Sequence, residues 1–146
     1  MINPFLLEPY TSKELFCDRE QELKDITSFL KNGSNVTLIS PRRYGKTGLI
    51  FRTFDDLREK KFICIYADIF SAQNLDDFIK ILSEAIVSNL ASDSLIKKFF
   101  NALKNARPLL SYDPISGSPQ VTLSFQTDSQ KQPTLKSIFD FLEKQG

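Results

Sequence analysis

The stretch Ser40-Pro-Arg-Arg-Tyr-Gly-Lys-Thr47 joins a short apolar run, Asn35 to Ser40, to an amphipathic run that begins at Lys46. A loop that holds phosphate needs inward-turned backbone N–H groups, a helix N-terminus behind them, one Lys for the outer phosphates and a hydroxyl for magnesium. Gly45 offers the unhindered backbone, Lys46 the cation and Thr47 the metal-directed hydroxyl, and a helix starting at Lys46 would add its positive dipole end. The phosphate-binding set is therefore Ser40, Pro41, Arg42, Arg43, Tyr44, Gly45, Lys46, Thr47 and Gly48, with Thr47 as the metal contact. The general pattern begins with glycine where this chain has Ser40. Serine there costs ~1 kcal/mol if the backbone must be left-handed and almost nothing if it need not be. Arg42 and Arg43 read either as phosphate contacts or as solvated loop charges, exposure being the usual state of arginine.

Much other chemistry is excluded by what surrounds this loop. The chain of 146 residues has no histidine, so it has no imidazole base and no Ser-His-Asp or Cys-His machinery. Its two cysteines, Cys17 and Cys64, cannot enclose zinc without histidine partners and read as reduced, buried thiols. A net charge of +1 gives no general attraction for nucleic acid or an anionic membrane. The N-terminal run Met1 to Leu15 carries two prolines and no signal-like apolar stretch, and nowhere do about 18 apolar residues follow one another. A cytoplasmic protein with no membrane partner is expected.

The elements that would position the loop can be read from periodicity. Asp18 as cap, with Leu23, Ile26 and Leu30 at helical spacing and Gly33 at the end, predicts a helix of about three turns within the first segment, 1–34. In 35–70, Asn35 to Ser40 and Lys61 to Phe70 read as buried strands around the loop and its helix, whose face carries Leu49, Ile50, Phe54 and Leu57. The segment 71–107 is helical: Asn74 and Asp77 cap a strong stripe through Leu75, Phe78, Ile79, Leu82, Ile86 and Leu90, and a second stretch stops before Pro108. Within 108–127, Val121, Leu123 and Phe125 alternate after a Pro-Ile-Ser-Gly-Ser-Pro turn, which predicts a β-hairpin. Ser129 to Pro133 reads as a polar, mobile connector, and 133–146 as a further amphipathic helix through Leu135, Ile138, Phe139 and Leu142.

Taken in order, the motifs at 3–5 (NPF), 16–23 (FCDREQEL), 40–50 (SPRRYGKTGLI) and 65–70 (IYADIF), with the helical stretches after them, resemble the archaeal and bacterial AAA-like, STAND-related P-loop ATPases. The resemblance spans nearly the whole chain and departs from the family's Gly-Pro-Arg-Arg-x-Gly-Lys-Thr loop at Ser40. It implies an α/β fold of the three-layer αβα P-loop NTPase type, incomplete and with an inserted β-hairpin, that binds ATP and Mg2+. It also implies that Phe5 and Phe16 lie near the adenine; as residues alone, two such aromatics are more often core.

ATP hydrolysis in such proteins needs a strand ending in an acidic residue for magnesium and usually a neighbouring Glu for the attacking water. The run ending at Asp68 has the right apolar shape, but Ile69 follows it. The family order matches it to the strand before the acidic one, which would come after the 133–146 helix. The expectation is then the N-terminal portion of an ATPase domain, with hydrolysis weak or absent, an unfilled sheet, exposed apolar faces and poor solubility. Self-association, or docking of a C-terminal half, would complete it. Two other readings stay open: a non-enzymatic interaction module on the same scaffold, and a small kinase-like NTPase with Asp68 as its magnesium residue.

Overall fold

The computed structural model describes residues 16, 18–90, 92–103 and 105–145, which fall into two units, one ending at Cys64 and the other beginning at Ile65. Phe5 lies outside the described residues.

In the first unit, α1 (Glu20–Lys31) and α2 (Lys46–Arg58) bury Leu23, Ile26 and Leu49 against one another. Helix α1 begins two residues after Asp18, and that aspartate does not cap it. Its carboxylate accepts instead from the adjacent Arg19 amide at 2.8 Å, and Arg19 occupies the cap position with φ 67° and no side-chain cap bond. The helix ends as expected at a left-handed Gly33 (φ 71°), whose N–H reaches the Leu30 carbonyl at 3.1 Å. On α2 the buried line is Leu49, Thr53 and Leu57, spaced four apart, so Ile50 and Phe54 flank the core and do not centre it.

The two runs expected as buried strands are extended but belong to no ladder, the only described sheet being a hairpin in the second unit. Val36 and Leu38 pack onto the α1/α2 cluster, while Ile39 between them and the loop is 91% exposed. Period-two alternation thus survives, with helices on one face and solvent on the other. From Asn35 to Ile39 no backbone group has a hydrogen-bond partner among the described residues. The correction is to burial: apolarity on both faces signals a buried strand only when other elements pack on both faces, and here only the Val36 and Leu38 face is covered.

The second unit is built on α3 (Leu75–Asn89), α4 (Asp93–Ala102), the antiparallel pair β1 (Arg107–Tyr112) and β2 (Pro119–Ser124), and α5 (Lys131–Glu143). Asn74 caps α3 by accepting from the Asp77 amide at 3.0 Å, and Ser92 caps α4 through Leu95. Ile79, Ile86, Phe99, Leu103, Val121 and Ile138 are sealed in a single core, where Phe99 meets Phe141 edge-on at 5.2 Å. Val121 also donates its N–H to the Glu84 carboxylate at 3.0 Å, which satisfies an outward-facing group of the hairpin. The connector before α5 is ordered, which corrects the expected mobile stretch. Thr127 and Gln130 form a capping box around a single 3-10 turn, Asp128–Gln130, that runs into α5. Pro133 is tolerated because it sits in the first turn, where its missing N–H would have had no helical partner.

Candidate phosphate-binding loop

The loop between the extended run and α2 is shaped by two left-handed residues, Arg43 (φ 65°) and Gly45 (φ 69°), on either side of Tyr44. Backbone that alternates in this way lets successive N–H groups converge on one point. Glycine takes the second position without strain, whereas Arg43 there costs ~1 kcal/mol or more. Ser40 is not left-handed, so its substitution for glycine carries no such cost.

Lys46 curls back over this loop. Its Nζ donates to the Ser40 carbonyl at 2.7 Å, the Pro41 carbonyl at 3.0 Å and the Ser40 hydroxyl at 3.1 Å, which uses all three of its protons. The third acceptor is one that glycine could not have offered. Thr47, half-buried in the first turn of α2, has no hydrogen-bond partner for its hydroxyl among the described residues. Gly48 is buried on α2, and Arg42, Arg43 and Tyr44 face solvent. An open, mostly apolar groove of about 470 Å³ continues from Lys46 and Thr47 along Leu38, Val36, Ile50 and Phe54.

The N-terminus of α2 differs in chemistry from those of α1, α3 and α4; α5 shares its lack of a cap bond and of first-turn acids, but a 3-10 turn containing Asp128 leads into α5. No side chain caps α2 and no acidic residue stands in its first turn, whereas α1, α3 and α4 each carry first-turn carboxylates. Its first N–H groups and its positive dipole end are therefore uncompensated by the protein, a setting that favours an anion.

One participant escaped the sequence reading. Arg19 donates from Nη1 to the Tyr44 carbonyl at 3.0 Å, 25 residues away, while its Nε pairs with Glu22 at 3.0 Å. The guanidinium comes within 3.7 Å of the position a Cβ would occupy on Gly45. Asp18 and Arg19 are both left-handed (φ 66° and 67°), and two consecutive non-glycine residues in that region cost ~2 kcal/mol or more. Only the Asp-Arg-x-x-Glu spacing hinted at this, and periodicity assigned those residues to capping. Phe16 is half-buried against Leu23, Ile26 and Leu49, the core alternative for that ring. Asp68 accepts from the Phe70 amide at 3.0 Å and so closes its own turn.

Comparison with known protein families, with curated proteins and with solved structures finds no match for this chain. No described helix is long and apolar enough to cross a membrane.

Proposed function

We propose that this chain binds ATP with Mg2+ through the loop Ser40 to Gly48, as the N-terminal part of an AAA-like P-loop ATPase domain. The observation that carries it is Lys46 poised over a left-handed loop at an uncapped, uncompensated helix start. The residues present fit the ligand: the amides at the start of α2 for phosphate oxygens, Lys46 for the outer phosphates and Thr47 for the metal. Bound magnesium would neutralise phosphate charge and hold the β and γ oxygens in one orientation. To reach a phosphate, Lys46 must leave its carbonyl acceptors, so binding exchanges three internal hydrogen bonds for charge-assisted ones. No carboxylate stands among the described residues that line the groove beside Lys46 and Thr47, and turnover is accordingly expected to be far slower than binding.

Titration calorimetry with MgATP on the whole chain tests this. Saturable, magnesium-dependent binding that Lys46→Ala abolishes and Thr47→Ala uncouples from magnesium is the expected result; equal affinity in Lys46→Ala would overturn it. A second reading has its own observation, the unpaired extended run with Ile39 exposed, and sees the scaffold as a protein-interaction module. A stable protein complex unaffected by Lys46→Ala, with no nucleotide affinity, would favour that second reading.

A further inference from the structure

We propose that Arg19 is a positioning residue that locks the Tyr44–Gly45 peptide in the orientation required for phosphate binding. The proposal rests on the nucleotide-loop reading for its ligand, but its geometry stands by itself. A trans peptide is planar, so its C=O and the next N–H point in opposite directions. Arg19 holds the Tyr44 carbonyl at 3.0 Å, and the Gly45 N–H is thereby turned away from the guanidinium. Were this peptide to flip, a carbonyl would take the place of the amide and repel phosphate. Glycine is the residue at which such a flip meets least resistance, since both signs of φ are open to it, and Gly45 is left-handed with open space on its Cβ side apart from Arg19.

Arg19 is itself prepared for this task. Glu22 holds its Nε at 3.0 Å on the first turn of α1, and the left-handed pair Asp18 and Arg19, fixed by the Asp18 carboxylate on the Arg19 amide, delivers the side chain across to the loop. A residue strained in this manner persists where the surrounding contacts require it. The planar, forked guanidinium can serve both acceptors at once, which a lysine ammonium on a flexible stem does poorly.

The test uses the whole chain with Arg19→Ala, Arg19→Lys and the milder Glu22→Gln, which loosens the guanidinium without removing it. In the ligand-free protein, the Gly45 amide resonance should broaden or split in Arg19→Ala and Glu22→Gln, while amides of the second unit stay unchanged. With inorganic triphosphate and MgATP as probes, Arg19→Ala should weaken binding about tenfold, the scale of one charge-assisted hydrogen bond. Arg19→Lys should recover only part of that loss. A Gly45 resonance unchanged in sharpness and position in both Arg19→Ala and Glu22→Gln overturns the lock, whatever the affinities. Wild-type affinity in Arg19→Ala, with Lys46→Ala inactive, overturns it too and leaves the nucleotide reading standing. If the wild type binds neither probe, the nucleotide reading fails and the Gly45 resonance alone decides the role of Arg19.

Discussion

At the scale of single residues, the serine in the loop is informative because of where its hydroxyl goes. Ser40 takes an ordinary backbone conformation and gives Lys46 a third acceptor at 3.1 Å. A bound phosphate must compete with that contact. Ser40→Ala is therefore expected to tighten MgATP binding by about 2- to 10-fold, the net worth of one hydrogen bond; weaker binding in calorimetry would place the hydroxyl in the bound state instead. Titrating groups elsewhere set the response to pH. The hairpin turn is closed by Asp113, which accepts from the Ser116 and Ile115 amides and the Ser116 hydroxyl, and these bonds hold its carboxyl below the usual range. Asp128 is lowered in the same direction by its pair with Lys131. A lowered carboxyl contributes stability that is present above its unfolded value and lost as pH falls through the folded one. Thermal unfolding between pH 6 and pH 2 should thus fall less steeply in Asp113→Asn than in the wild type. The opposite sign holds at Cys64: burial raises the thiol, so its contribution is lost as pH climbs above the ordinary thiol value.

At the scale of elements, the helices and the hairpin were legible because their signals are local. The stripe on α3 and its Asn74 cap lie where the spacing predicts, and removal of the cap by Asn74→Ala should cost ~1 kcal/mol in denaturant unfolding. Phe99 of α4 is fully buried in the core it shares with residues of α3, α5 and the hairpin, so Phe99→Ala should cost ~3–5 kcal/mol by the same measurement. A loss under ~1 kcal/mol would mean that this core is not closed in solution. The errors also have local causes. Asp18 has the residue type of a cap, yet the next residue's left-handed turn spends its carboxylate on the Arg19 amide. The polar stretch before α5 looked mobile because its order depends on a reciprocal pair, Thr127 with Gln130, and on a proline whose position within the helix decides whether it breaks or starts it.

At the scale of the molecule, the described residues form two units, and the extended run 62–69 is divided between them, with Cys64 in the core of one and Ile65 against the core of the other. Exposed large apolar side chains lie on and beside the two runs outside the hairpin: Ile39 at 91% and Phe70 at 96%. Such residues promote association. The double variant Ile39→Thr, Phe70→Ser should raise the concentration at which light scattering first detects aggregates, with little change in unfolding midpoint; an unchanged threshold would show that these side chains are covered in solution. By itself the sequence determined the helices, the buried stripe of α3, the hairpin and the residue types available at Ser40 to Gly48, since each depends on residues a few positions apart. The α2 and α5 faces are shifted, with Thr53 buried beside Leu49 and Leu57, and Phe141 buried where Phe139 was expected. Only the tertiary structure decided that Asn35 to Ile39 is covered on one face alone, that Lys46 rests on Ser40, and that Arg19 reaches Tyr44. Those outcomes depend on groups far apart in the chain, and no short-range period encodes which distant donor will meet which acceptor.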